Sequence, residues 1–207
     1  MSESNNLIPF KRQLNRSVIA ILASTLNNIV GSNNTLPWQC RRDMYFFKLS
    51  TVGNVVIMGR KTYESMGSKP LPRRVNIVIT RTPESIVPAP NLTVVTTIEA
   101  AIKVARMADL SRFDRHTTFE HIFIIGGVDI YKQTAFLIDE IIHSTINVTV
   151  DEGIGQDLFT SYLPLDSLTN EILYYNSLLN DVDSKHTLKE VVHYHNANLN
   201  NTFSLKR

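Results

Sequence analysis

Residues 18–23 read Val-Ile-Ala-Ile-Leu-Ala without one polar side chain. That run is the strongest constraint on what the chain can become. A strand with one wet face alternates polar and apolar residues, whereas an unbroken apolar strand has both faces covered, as in a mainly parallel sheet packed between helices. Residues 122–125 (Ile-Phe-Ile-Ile) repeat the pattern, 54–58 (Asn-Val-Val-Ile-Met) and 75–79 (Val-Asn-Ile-Val-Ile) do so but for one asparagine each, and 92–95 adds a short strand. Residues 140–146 read as a further strand, with Ser144 and Thr145 polar in an apolar context. Helix-like segments separate them: from Asp43 to near Thr51, at 62–66, at 98–108, and from the Gly126-Gly127 pair to about Ile138. In the third, Ile98, Ala101, Ile102 and Ala105 form one stripe, with Thr96 and Glu99 at capping-box spacing ahead of it. Residues 171–179 and 187–194 read as a hairpin, hence antiparallel to each other. The expected class is α/β.

Composition narrows the functional classes. A chain of 207 residues, 43% hydrophobic and 19% charged, suits one soluble domain with a sizeable core. A net charge of +2 and a pI near 8.7, with no basic stripe, do not point to nucleic acid. No apolar run approaches the ~20 residues of a membrane span. Cys40 is the only cysteine, so no intrachain disulfide forms and a reducing, cytoplasmic setting is expected. Residues 1–16 are polar and lack the apolar core of a signal peptide, which predicts a mobile extension ahead of a domain at 17–195. Residues 196–207 are expected to be an extension or a final strand.

The chemistry concentrates in two places. The first is Gly31-Ser-Asn-Asn-Thr-Leu-Pro-Trp38, followed by a single acid, Asp43, with Met44 beside it and Phe47 one turn on. A lone carboxylate on an apolar wall suits a flat, nitrogen-rich heterocycle; the plainer role is favouring a helix N-terminus. The second is the rim where strands end: Gly59-Arg60-Lys61-Thr62, Thr80-Arg81 and Gly126-Gly127. Ligands of open α/β sheets collect there, glycine allows close approach, and cations with helix N-termini favour a phosphorylated ligand. Gly126-Gly127 lacks the G-x-G-x-x-G fingerprint, which disfavours an ordinary Rossmann domain. His193 and His195 share a strand face without further close ligands, so no metal is expected. No Ser/His/Asp set in motif context supports hydrolysis.

Together these pieces resemble the dihydrofolate reductase family. The elements that carry the resemblance, in family order, are Ile21-Leu-Ala23, Val30-Gly31, Leu36-Pro37-Trp38, Asp43 with Phe47, Met58-Gly-Arg-Lys-Thr-Tyr-Glu-Ser65, Pro70-Leu-Pro-x-Arg74-x-Asn76, Thr80-Arg81, Ile125-Gly-Gly127 with Tyr131, and Asp157. The resemblance spans roughly residues 17–195. It implies a single domain with an eight-stranded, mostly parallel sheet, an antiparallel C-terminal strand and about four helices.

It also implies roles. NADPH would deliver hydride to C6 of 7,8-dihydrofolate, with protonation at N5, giving 5,6,7,8-tetrahydrofolate. Asp43 would hold the 2-amino group and N3 of the pterin and assist the protonation. Ile21, Leu22, Met44, Phe47, Met66 and Leu71 would wall the substrate. Arg74 would clamp its carboxylate tail, Lys69 would add a contact at the mouth, and Ser144 would hydrogen-bond the acid. Ala23 and Val30, with Gly31 and Leu36 nearby, would receive the nicotinamide. Ile125, Gly126, Gly127 and the turn Val128, Asp129, Ile130 and Tyr131 would approach the pyrophosphate, the Gly-Gly bond being cis in the family. Gly59, Arg60, Lys61, Thr62, Thr80 and Arg81 would take the 2′-phosphate side. Antifolate inhibitors would be further ligands, and a monomer is expected.

The chain departs from the family in three places. Val128 stands where glycine or alanine is usual, Tyr63 replaces a tryptophan, and Asn27-Asn28-Ile29 lacks a common glycine. Two alternatives share the fold: a pyrimidine reductase of riboflavin synthesis, disfavoured by Asp43 and Arg74, and a non-catalytic NADPH- or nucleic-acid-binding protein.

Overall fold

The computed structural model describes residues 16–113, 120–163, 165, 169–175 and 185–195. Eight strands form one sheet: β1 (Val18–Thr25), β2 (Val55–Gly59), β3 (Val75–Ile79), β4 (Leu92–Val95), β5 (Ile122–Ile124), β6 (Glu140–Ile146), β7 (Thr169–Tyr175) and β8 (Leu188–His195). Their order across the sheet is β4-β3-β2-β5-β1-β6-β8-β7. Neighbours are parallel except at β8, which runs antiparallel to both β6 and β7. The hairpin reading is met by the β7–β8 pair, although β7 starts at Thr169 and β8 ends at His195.

Four α-helices cover the sheet: α1 (Arg41–Thr51), α2 (Arg60–Ser65), α3 (Ile98–Met107) and α4 (Val128–Thr134). The apolar runs now have their explanation. Ala20, Leu22, Val55, Ile57, Ile122 and Ile124 point into a core with Ala101, Ile102 and Ala105 of α3 and Ile130 and Tyr131 of α4. Their strand neighbours Ile19, Ile21, Val56, Met58 and Phe123 point the other way, into a core with Trp38, Cys40 and Tyr63, on which Phe46 and Phe47 of α1 pack. Each fully buried Ile or Val adds roughly 1.5–3 kcal/mol relative to exposure. Tyr63, in place of a tryptophan, is a core residue whose Oη donates to the Ser68 carbonyl at 2.8 Å.

Local details correct several expectations. The cap of α3 is Thr97, whose Oγ1 accepts from Ala100 N at 3.1 Å, while Thr96 lies on the rim of the cleft described below. The fourth helix is shorter than its sequence pattern, passing into a 3-10 turn at Ala135–Leu137. Arg16, assigned above to the N-terminal extension, is buried, pairs with Glu120 and donates to the carbonyls of Ala105 and Ala108. Arg16 therefore packs with the domain, while residues 1–15 and 196–207 lie outside the described residues.

Candidate active site

The parallel strands end together at Leu22/Ala23, Met58/Gly59, Ile79/Thr80 and Ile124/Ile125, and all eight residues except Met58 and Ile124 line a cleft of about 1340 Å³. That exceeds the ~300–1,000 Å³ of a usual single-ligand pocket and leaves room for two. Asp43 lies in the first turn of α1 and is only 7% exposed. Burial raises its carboxyl from the ordinary 3.8 to about 6, and a hydrogen bond from the Ser144 hydroxyl of β6 acts in the opposite direction. Burial raises and a helix N-terminus lowers a carboxyl pKa, and Asp43 is subject to both. Burial dominates.

Tyr131, on α4, is buried, and its Oη donates to the Ile21 carbonyl at 2.8 Å, tying that helix to the end of β1. Burial raises its hydroxyl pKa, and the Asp43 charge adds to the rise, so it stays a donor. The Gly126–Gly127 peptide is cis. Gly126 has φ +99°, and a Cβ there would sit 3.0 Å from the Tyr131 ring, so the position admits only glycine without rearrangement. Gly59 N donates to the Gly126 carbonyl at 2.8 Å, and a Cβ on Gly59 would meet Ile130 at 3.0 Å. The two strand-to-helix junctions are thus stitched together by glycines.

Most residues singled out in the sequence meet in this cleft. Ile21, Leu22, Ala23, Val30, Gly31, Leu36, Asp43, Met44, Phe47 and Met66 line it, with Ser144. Gly59, Arg60, Lys61, Thr62, Thr80 and Arg81 form one side, and Ile125 through Tyr131 the floor. Met44 is 56% exposed, because it is one residue off the buried stripe of Asp43 and Phe47.

Lys69, Leu71 and Arg74 do not line the cleft. Lys69 is exposed on the outer surface. Leu71 packs against the core on the α1 face, with its N and O held by Asn76. Arg74 is buried, donates from Nε to the Pro72 carbonyl at 3.2 Å, and sits 5.9 Å from the Phe47 ring; burial lowers its pKa to about 10. Arg60 is paired with Glu64 across one helical turn at 2.5 Å, while Lys61 and Arg81 form no ion pair among the described residues.

The sequence marked Asp157 but not the part that residues 153–156 play in the site. Val30 N donates to the Ile154 carbonyl and Ile154 N to that of Gly31, at 2.9 and 2.8 Å, clamping the Gly31 loop. A Cβ on Gly153 would fall 2.2 Å from an Ile29 methyl, and one on Gly155 2.3 Å from a Val30 methyl. Two glycines flanking Ile154 were the available signal. Val128 belongs to the same contact, its methyl 3.2 Å from the Gly155 Cβ position. Asn28, where the family's glycine is missing, takes φ 62°, a left-handed conformation that asparagine tolerates better than most residues.

His193 and His195 also change standing. Their sequence neighbours offer no further ligand, but the sheet brings Glu140 of β6 to them, His193 Nε2 lying 2.7 Å from Glu140 Oε2.

The profile described as dihydrofolate reductase matches residues 17–162, more than two thirds of the chain. The chain belongs to the dihydrofolate reductase family. Among similar proteins, a dihydrofolate reductase of Haemophilus influenzae is 34% identical over 131 residues, covering 63% of this chain and 72% of that protein. A dihydrofolate reductase type 8 of Escherichia coli is 41% identical over 124 residues, covering 59% and 69%. A bifunctional dihydrofolate reductase-thymidylate synthase of Paramecium tetraurelia is 39% identical over 119 residues, covering 58% of this chain. This chain spans only 23% of the bifunctional protein, so the second activity in that name is not carried over. A dihydrofolate reductase structure from Enterococcus faecalis, complexed with NADP(H) and RAB-propyl, superposes with a TM-score of 0.66 at 25% identity, covering 86% of this chain and 95% of that one. Dihydrofolate reductases are NADPH-dependent oxidoreductases. Among the described residues no helix is long and apolar enough to cross a membrane.

Proposed function

We propose that this chain reduces 7,8-dihydrofolate to 5,6,7,8-tetrahydrofolate at the expense of NADPH, with Asp43 as the catalytic residue. The reading is carried by one observation: a nearly fully buried carboxylate, hydrogen-bonded by Ser144, in the same cleft as Lys61, Arg81 and the Gly126-Gly127 pair. The residues fit a phosphorylated dinucleotide. Lys61 and Arg81, with the hydroxyls of Thr62 and Thr80, supply charge and donors on one rim, and Gly126 and Gly127 let backbone approach a bulky anion. When bound, NADPH supplies the hydride that saturates the C6 position.

The chain's own residues do the rest. Asp43 accepts hydrogen bonds from the pterin amino group and ring N–H, fixing the ring's orientation, while Ser144 occupies another of its lone pairs. Ile21, Phe47 and Met66 exclude water from the ring, which strengthens the pull of the carboxylate on a pterin gaining a proton at N5. With its pKa near 6, Asp43 is itself protonated in about a tenth of molecules at pH 7, so the site has a proton at hand without losing its charge in most. Tyr131 holds Ile21, and with it the pterin wall, against α4. Arg74 orders Phe47 and presents a cation behind it to a substrate carboxylate.

Further parts of the reading are a monomer acting in the cytoplasm, where the buried thiol of Cys40 stays reduced. The test is direct. Protein, NADPH and dihydrofolate are mixed and the near-ultraviolet absorbance of reduced nicotinamide is followed. A decay requiring all three supports the assignment. Oxidation with a ribosylaminopyrimidine but not with dihydrofolate would replace it with the riboflavin-type reductase, and binding of NADPH without oxidation by either would leave a non-catalytic protein.

A further inference from the structure

Four residues back along β6 from Ser144 stands Glu140, on the same strand face and about 13 Å away at ~3.3 Å per residue. It lies at the opposite end of the strand from the cleft. In the register of β6 with β8, Glu140 is paired with His195, and His193 is paired with Ile142. His193 and His195 are two apart on one strand and so share the face of Glu140. Their imidazole rings lie 3.9 Å apart, tilted by 49°. The Glu140 carboxylate is 2.7 Å from His193 Nε2 and 3.9 Å from His195 Nδ1, and the three ligand atoms all fall within 4.8 Å of one another.

We propose that Glu140, His193 and His195 form a binding site for one divalent transition-metal ion, Zn2+ foremost, which clips the antiparallel β8 to the parallel sheet. Two imidazole nitrogens and one carboxylate oxygen are a known three-ligand zinc set, with a fourth position left for water. Ligands about 2.0–2.2 Å from zinc in a tetrahedral site stand roughly 3.3 Å from one another. The two measured separations bracket that value, so side-chain adjustments of under an ångström or so bring the atoms into place. The donor set excludes Mg2+ and Ca2+, which take oxygen ligands.

An ordinary ion pair accounts for less of this arrangement. One carboxylate balances one imidazolium, yet two imidazoles crowd it, and a third, His121 beside β5, is close enough to be felt by Glu140 and His193. A divalent cation uses both neighbouring lone pairs at once and turns that crowding into ligation. The side chains of Glu140 and His193 are 10% and 12% exposed, which holds them in place, while that of His195 is 34% exposed and leaves an entry path.

The full-length, tag-free chain decides it, with Zn2+ alone as the probe in calorimetric titration and Co2+ as a spectroscopic stand-in. The expected results are one ion per chain, visible-region absorption typical of a tetrahedral Co2+ site, and a Tm that rises with Zn2+ but not with Mg2+. His195→Asn and Glu140→Gln should each weaken Zn2+ binding by at least ~100-fold, beyond the 10- to 100-fold loss usual for outer-shell partners. His186→Asn should leave it unchanged. If Glu140→Gln fails to fold, His195→Asn, at the more exposed ligand, carries the test. Absence of saturable Zn2+ binding, or binding that survives His195→Asn, overturns the proposal.

Discussion

The Ser144 hydroxyl of β6 donates a hydrogen bond to the Asp43 carboxylate of α1, joining two elements distant in sequence at the wall of the cleft. That bond keeps the acid's charge tolerable in a dry site, and several expectations rest on the balance it strikes with burial.

Asp43→Asn removes the charge and keeps the shape. Steady-state turnover of dihydrofolate at pH 7 should drop by ~10²–10⁴, the usual contribution of a positioned acid–base group, while NADPH titration is nearly unchanged. Turnover close to wild type would remove Asp43 from its role.

The same residue makes stability depend on pH. Its folded carboxyl titrates about two units above the ordinary value of 3.8. Between pH 4 and 6 the folded chain therefore binds more protons than the unfolded one, and the contribution of Asp43 falls as pH rises through that window, by on the order of 3 kcal/mol at completion. Denaturant unfolding should show Asp43→Asn more stable than wild type at pH 7, with the gap closing toward pH 4. A gap that widens on acidification contradicts the sign.

Arg81→Ala tests the phosphate rim. Arg81 is exposed and forms no ion pair among the described residues, whereas Arg60 is engaged by Glu64. Loss of a charged contact worth ~1.5–3 kcal/mol weakens NADPH by about 10- to 100-fold and should leave NADH nearly untouched. Arg60→Ala should have the smaller effect, and equal losses for both cofactors would show that Arg81 does not read the extra phosphate.

Gly153→Ala puts a methyl 2.2 Å from Ile29 and 2.7 Å from the Gly31 carbonyl. Either the loop or the Gly31 segment must move, and overpacking of this kind costs ~1–3 kcal/mol. Weaker nicotinamide binding and faster amide exchange at Val30 and Ile154 are the expected signatures. Unchanged exchange at both amides would mean the contact is absent in solution.

Arg16→Ala removes one charged partner of the partly buried Glu120 and a donor to the carbonyls of Ala105 and Ala108. Removing one member of a buried pair costs about 3–5 kcal/mol, discounted here because Glu120 is partly exposed, so ~2–3 kcal/mol in denaturant unfolding is expected.

Much of the fold was legible because the signals were local. Apolar blocks at β1, β2, β3 and β5 named strands covered on both faces, and Gly59 and Gly126-Gly127 marked where strands hand over to helices. The glycines and cations of the rim were found from their place at strand ends, whereas the apolar wall and Ser144 were implied only by the resemblance to the family. What escaped reading depends on long-range partners. Arg16 looks like a solvated tail residue until Glu120 and the end of α3 are brought to it. Glu140 gains its histidine neighbours only through the register of β6 with β8. Arg74 and Leu71 were assigned through the resemblance, and their contacts, Arg74 5.9 Å from the Phe47 ring and Leu71 on the α1 face of the core, are not visible in chain spacing. Thr97 displaced Thr96 as the cap, a one-residue difference that capping-box spacing alone does not resolve.

The place of β8 between β6 and β7 has a consequence for how the protein is made. Chain order delivers β7 first, yet β7 touches the sheet only through β8. While the ribosome has released no more than Tyr175, one side of β6 is a raw border and β7 has no berth. Residues 188–195 then act as a keystone, sealing both at once, and a nascent chain short of them presents unpaired backbone open to mispairing.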